Sequence, residues 1–352
     1  MKIGFVIYGS LDTVSGGYLY DRKLVEYLRA QGDSVEIISL PWRTYAAHLT
    51  DNFWFRLAGN YDVIIQDELD HPSLIAANLR ERTYPIVSLV HHLRCSESRP
   101  NWQNIFYRFV EKQYLQSVDG FIFNSRTTKG VVNRLIGDGK PNIVAYPPTD
   151  RFGASLSEDE IRKRARSGEF RILFLGNVIH RKGLHTLIEA IGGRQSAFRV
   201  DVVGSLNSEQ RYAEEMKRQV RVNGLPSSVN FHGALDNKPL IEKLRQAHVL
   251  VVPSSYEGFG IAYLEGMCFG LPAIGTTAGA AVEIIMHGKD GYLIEPGDSE
   301  TLAKLLNKLA ADQELLVQMS RNARIRYDSQ PKWEKTASQI REFLFHMVST
   351  AG

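Results

Sequence analysis

The stretch "PSSYEGFGIAYLEGMCFGLP", Pro253 to Pro272, sets four glycines around two glutamates, Glu257 and Glu265, with seven residues between them. It follows the apolar run "VLVV" (249–252), so it reads as a strand that ends, a glycine-rich turn, and a helix that begins near Ile261. Glycine weakens an ordinary helix, and this density implies a backbone that turns sharply or meets a ligand closely. With Gly258 and Gly260 flanking Phe259, the start of the helix offers main-chain N–H groups to an anion such as phosphate. A carboxylate in the same turn would repel phosphate. Glu257 therefore suits a neutral polyol such as a sugar, and Glu265, one turn into the helix, can reach another hydroxyl. On spacing alone a plainer reading stands beside this one, with Glu257 capping the helix and Glu265 facing solvent.

Outward from this stretch, the same strand-then-helix pattern repeats. "KIGFVIYG", "SVEIISL", "DVIIQDE", "PIVSLVHH", "GFIFNS" and "NIVAYPP" form a first series of short apolar runs. "FRILFLGN", "FRVDVVGS", "VNFHGAL", "VLVVPSS", "LPAIGTT" and "GYLIEP" form a second. Amphipathic segments separate them, such as "YDRKLVEYLRAQG", where Leu24 and Leu28 share a face and Gly32 stops the helix. This alternation predicts parallel strands joined by crossover helices, hence two doubly wound α/β halves. Ligands of such sheets bind beyond the carboxyl ends of the strands, so two facing halves would share a cleft. The expected division is a first domain over 1–150, a polar linker or exposed helix over 151–168, a second domain over 169–330, and a C-terminal helix over 331–352. Trp333, Ile340, Phe343, Leu344 and Met347 give that last helix an apolar stripe, which predicts packing back onto the first domain.

Composition removes several classes. The 42 basic residues nearly balance 39 acidic ones, and residues 1–150 hold 16 of each, so neither half presents the basic surface of a nucleic-acid binder. The two cysteines, Cys95 and Cys268, have neither metal-ligand spacing nor a disulfide framework, and a reducing cytosol is expected. The N-terminal apolar run is too short for a secretory leader, and no run reaches membrane-spanning length. The aromatics of "NWQNIFYRFVEKQYLQ" (101–116) are expected in the core or between domains rather than on a lipid-binding face, because basic residues there are few.

Residues 254–298, "SSYEGFGIAYLEGMCFGLPAIGTTAGAAVEIIMHGKDGYLIEPGD", resemble the donor-binding signature of retaining family-4 glycosyltransferases of GT-B fold (glycosyl transferases group 1). "FLGNVIHRKGLHTLIEA" resembles that family's phosphate-binding turn, "VNFHGAL" its base-side strand, and "AYPPTDRF" the end of its N-terminal domain. The resemblance implies that Glu257 contacts the transferred sugar, that the backbone of Gly258, Phe259, Gly260 and Ile261 meets the donor diphosphate, and that Glu265 holds the ribose. A bidentate carboxylate suits two ribose hydroxyls, and a diphosphate needs donors and positive charge. That charge is expected from Lys182. The family commonly has an arginine where this chain has Asn177, and Arg181 is the candidate replacement. His232, on the base-side strand, joins the donor-binding set.

In the first half, alignment of "PIVSLVHHLR" on the family's strand puts His91 at the catalytic-site histidine, with His92 on the acceptor side. "GSLDTVSGGYLYDRK" resembles the family's first glycine-rich loop, where Gly16 and Gly17 would approach donor phosphate and acceptor. It is not a G-x-G-x-x-G fingerprint, which disfavours a nicotinamide enzyme. Asn124 and Ser125, at a strand end, either line the cleft, with Asn124 on the acceptor side, or cap the next helix.

These readings predict a retaining, metal-independent, hexosyl-type glycosyltransferase with no cofactor, the nucleotide-diphosphate sugar being its co-substrate. Its acceptor would be a glycan, lipid-linked glycan or small molecule. The expected location is cytoplasmic, with peripheral contact at the inner membrane face left open. The alternatives are a GT-B epimerase or phosphorylase, or a silent nucleotide-sugar-binding protein, for which Asn177 is the best argument.

Overall fold

Runs of Val, Ile, Leu and Phe that alternate with polar helices can hide both faces only as a parallel sheet with helices on either side. The computed structural model describes residues 1–13, 15–97, 99–148, 151–153, 156–192 and 198–351, and the chain divides into two compact units, Met1–Pro148 with Pro331–Gly352, and Thr149–Gln330.

The first unit holds β1 (Lys2–Tyr8), β2 (Ser34–Leu40), β3 (Val63–Asp67), β4 (Ile86–Val90), β5 (Gly120–Phe123) and β6 (Asn142–Val144), in the order β2-β1-β3-β4-β5-β6. The second holds β7 (Phe170–Leu175), β8 (Phe198–Val203), β9 (Val229–Gly233), β10 (Val249–Val251), β11 (Ala273–Thr276) and β12 (Gly291–Ile294), in the order β12-β11-β10-β7-β8-β9. The pairings are parallel throughout, with Lys2 opposite Ser34 and Val249 opposite Ile172. All twelve strands coincide with the apolar runs read from the sequence. Each unit is a Rossmann-like doubly wound sheet of the GT-B kind.

In both sheets the strand order reverses at one place, between β1 and β3 in the first and between β7 and β10 in the second. Loops leaving two such strands diverge and open a crevice at their carboxyl ends. The functional candidates lie in these loops.

Two segments differ from their sequence reading. The 151–168 stretch contains the helix Glu158–Ala165, opened by a capping box of Ser157 and Glu160 and built into the second unit. Its Ile161 and Ala165 are buried. Buried Arg164 donates to the carbonyls of Phe269 (2.8 Å) and Gly270 (2.7 Å), capping the end of the helix Ile261–Cys268. Its charge looked like a solvated surface, yet one arginine satisfies carbonyls more than a hundred residues away. The second segment is the helix Asn101–Ser117. Tyr114 and Leu115 do enter the core, but Trp102, Phe106 and Phe109, expected to pack, are exposed.

The helix Trp333–Ala351 lies in the first unit, where Ala337, Ile340, Leu344 and Met347 share a core with Ile3, Phe5, Leu24, Val63 and Ile122. Arg341 Nε bonds Asp33 at 2.7 Å, fixing the helix to the residue just before β2. "AYPPTDRF" is only partly visible here, since Thr149 and Asp150 fall outside the described residues.

Candidate active site

In the second unit β7 leads to Gly176 and the turn His180–Lys182, while β10 leads to Ser254 and Glu257. Because β7 and β10 are neighbours at the reversal, the two turns meet. Lys182 Nζ lies 2.5 Å from Glu257 Oε1, and Arg181 lies 4.0 Å from Oε2. Ser254 Oγ donates to Glu257 Oε1 at 2.6 Å. Glu257 is buried, which disfavours its charge, but Lys182, Arg181 and the Ser254 hydroxyl outweigh burial and hold its pKa below the ordinary range. Burial pulls Lys182 down, and Glu257 offsets only part of this. Glu257 does not cap the helix. The N-cap of Ile261–Cys268 is Gly260, whose φ of +102° is the left-handed conformation a side chain resists.

The Glu257 turn is also tied down from behind. It bridges Gly279, and Ala280 N donates to Glu257 O at 2.8 Å. Gly279 has φ +85°, and a Cβ there would stand 2.1 Å from Glu257 O. Thr276 Oγ1 bonds Ser254 O at 2.6 Å. Two carboxylates, two cations and a helix N-terminus thus share one end of this sheet.

Glu265 is buried rather than facing solvent, and Arg151 bonds its Oε1 at 2.6 Å. Burial raises its pKa, with Arg151 offsetting part. Arg151 also reaches Asn237 Oδ1 at 2.7 Å. Nothing in the spacing around Arg151 marked this partner. Asn177 Oδ1 accepts from Ser205 N at 3.2 Å, so it braces the turn after β8. His232 contacts Asp201 at 2.5 Å, and Lys243 joins the same carboxylate at 3.0 Å. A separate cavity of about 560 Å3, lined by His180, Asn207, Glu209, Gln210, Arg211 and Tyr212, contains none of the expected site residues.

The first unit gathers its own set. His91 follows β4, with its Nε2 3.0 Å from Asp21 Oδ1, while its backbone N donates to Glu68 Oε2 at 2.7 Å. Asn124 Nδ2 donates to His91 O at 2.6 Å. Asn124 is not the helix cap, because Ser125 takes that position and accepts from Thr128 N at 3.0 Å. Gly16 and Gly17 are the first residues of the helix Gly16–Ala30 rather than part of an open loop. Gly17 leaves room for the ring, since a Cβ there would lie 3.2 Å from His91 Cδ2. His92 is partly exposed and contacts Glu97 Oε1 at 2.9 Å.

Asp21, Asp67, Glu68 and Asp70 are all buried around this histidine. Burial opposes the imidazolium, but Asp21, Asp67 and Glu68 outweigh it and push the His91 pKa up to about 10. Burial, then Asp67, push Asp21 up, and His91 pulls it partly back. Asp21, Asp67 and His91 place one ligand-type atom each within 4.8 Å of one another, a geometry that a cation or a shared proton could satisfy. Sequence reading passed over Asp21, although the signal was there: it is an acid on the helix face that buries Tyr18, Leu24, Val25 and Leu28.

Residues 157–326 match the family described as glycosyl transferases group 1. The chain is 26% identical to the phosphatidyl-myo-inositol mannosyltransferase of Mycobacterium leprae, over 100% of this chain and 98% of that one. Its fold superimposes on a sucrose-phosphate synthase from Thermosynechococcus elongatus with a TM-score of 0.82 at 20% identity, covering 100% of both chains. It also superimposes on the Anabaena protein HepE in complex with UDP and glucose with a TM-score of 0.77 at 22% identity, over 98% of this chain and 99% of that one. Residues 157–326, just under half of the chain, thus match a glycosyl transferases group 1 domain, in a chain whose fold is of the GT-B kind.

Proposed function

We propose that the chain moves a hexosyl group from a nucleotide-diphosphate sugar to an acceptor hydroxyl, with retention at the anomeric carbon. The observation that carries this is the buried Glu257 held against Lys182 and Arg181 at the reversal of the second sheet. Bond cleavage leaves a diphosphate, and its growing negative charge requires fixed positive groups. Lys182, Arg181 and the N–H groups at the start of Ile261–Cys268 supply them in this proposal, in the role that a metal ion has in other transferases. When the diphosphate engages Lys182, Glu257 is freed to accept hydrogen bonds from sugar hydroxyls. Glu265 takes the ribose hydroxyls once Arg151 turns aside. On the first unit we assign a sugar contact to His91, and acceptor-side positions to His92 and Asn124.

Two findings support the nucleotide-sugar donor. The family is one of glycosyltransferases, and a fold neighbour is named in complex with UDP and glucose. No cofactor is proposed beyond that co-substrate. The acceptor is a glycan, a lipid-linked glycan or a small molecule.

A donor screen tests the reading. UDP-, GDP- and ADP-hexoses are incubated with simple sugar and polyol acceptors, and free nucleotide and product are measured, with the product's anomeric configuration read by NMR. The expected result is release of one nucleoside diphosphate together with a product of unchanged anomeric configuration. An inverted product would refute retention. An isomerised sugar nucleotide, or binding without turnover, would refute transfer.

A further inference from the structure

The helix Asn101–Ser117 carries four large apolar side chains in solvent: Trp102 is 71% exposed, Ile105 69%, Phe106 45% and Phe109 63%. Positions 102, 105, 106 and 109 follow the i, i+3, i+4, i+7 spacing of one helix face. Val110, Tyr114 and Leu115 are buried on the other side, so the helix has two apolar faces and the fold uses one. Scattered apolar residues on a surface are ordinary, but a contiguous aromatic face marks a docking surface. Two further exposed rings, Phe53 and Trp54, belong to the turn just after the segment of Tyr45, whose ring meets Phe106 and Tyr107.

Charge identifies what covers this face. The exposed charged residues of the helix are Arg108 and Lys112. Its single acid, Glu111, is buried and accepts from the backbone N of Arg94 (2.5 Å) and of Cys95 (3.1 Å). The helix Arg126–Ile136 packs beside it and adds Arg126, Lys129 and Arg134 with no acid. An aromatic stripe whose own helix exposes only basic charges fits a surface that is apolar at depth and anionic at its edge. A second copy of the chain fits poorly, because two-fold pairing through this face would set Arg108 and Lys112 against their own counterparts.

We propose that the face of Trp102, Ile105, Phe106 and Phe109 docks onto an anionic lipid surface. The rings enter the boundary between headgroups and acyl chains, and Arg108 and Lys112 lie on lipid phosphates. No helix among the described residues is long and apolar enough to cross a membrane, so the contact is peripheral. The inference is independent of which sugar is transferred, and of whether transfer occurs at all.

The test is co-sedimentation of the full chain with vesicles of phosphatidylcholine alone or with about one-third phosphatidylglycerol. The expected result is at least about tenfold tighter binding to the anionic vesicles, mostly lost at about 0.5 M salt, where screening shortens the reach of the charges. Phe109→Asp is expected to weaken binding by more than about tenfold, and Arg108→Glu with Lys112→Glu to abolish the preference for anionic lipid. The tryptophan emission of the wild type should shift to the blue on vesicles, and Trp102→Phe should remove that shift. All these side chains are exposed, so the variants should keep the wild-type melting temperature. The wild-type lipid and salt dependence needs no variant at all. Equal or absent binding to the two vesicle types overturns the proposal. So does a concentration-dependent dimer in ultracentrifugation that Phe109→Asp dissolves, which would assign the face to a second copy.

Discussion

Glu257 is a buried acid whose charge survives because Lys182 stands 2.5 Å away. Removing one partner of such a pair leaves the other charged in a dry place, at a cost of about 3–5 kcal/mol. Glu257→Gln is therefore expected to lower the melting temperature and to cut turnover more than about tenfold. A variant with wild-type turnover would remove Glu257 from the site. His91 makes a different prediction. Its pKa is raised from 6.5 to about 10, so its stabilising proton is fully held below pH 6.5 and lost as pH rises through its folded value. Asp21, also shifted up, works in the same direction. Between pH 7 and 9 the wild type should lose about 2 kcal/mol from this pair. Asp21→Asn lets the His91 pKa fall, and its denaturation midpoint should change less over the same range. Parallel pH slopes for the two proteins would show that the 3.0 Å contact contributes nothing.

At the scale of elements, the strand-turn-helix unit after β10 works because two other turns hold it. The turn after β7 brings Lys182, and the turn after β11 brings Gly279 against the Glu257 backbone. Gly279→Ala must place a methyl 2.1 Å from Glu257 O while keeping φ near +85°. The strained backbone alone costs about 1–3 kcal/mol, and the collision pushes the Glu257 turn away from Lys182. The expected outcome is a lower melting temperature with turnover depressed as far as in Glu257→Gln, although no side chain of the site has changed. Full turnover in a destabilised variant would mean that the bridge does not position Glu257. Within "GTTAGAAVEII" Ala280 sits without strain, buried with φ −90°. The intolerant position is its neighbour.

For the whole molecule, the first unit is assembled from both ends of the chain, with Leu344 among Ile3, Phe5 and Leu24. Leu344→Ala should remove about 2–5 kcal/mol from that unit. In denaturant the first unit's transition should move to lower concentration while the second unit's stays in place, followed by tryptophan emission and by binding of nucleotide. Trp333 reports on the first unit, where its ring meets Tyr20 at 5.1 Å. A shift of both transitions together would show that the units unfold as one.

The sequence by itself determined the twelve strands, their two series and the glycine-rich turn after β10, because these rest on local physics. A strand buried on both faces must be an unbroken apolar run, and a glycine-rich turn announces itself within ten residues. It did not determine partners. Asp21 meets His91 across 70 positions and Arg151 meets Glu265 across 114, and no periodicity encodes a contact made by the winding of a sheet. It also failed at the helix Asn101–Ser117, where the spacing gives two apolar faces and cannot say which one the fold covers. Only the tertiary structure decided that, because burial is a property of what packs against a residue, and the sequence of one helix does not contain its neighbours.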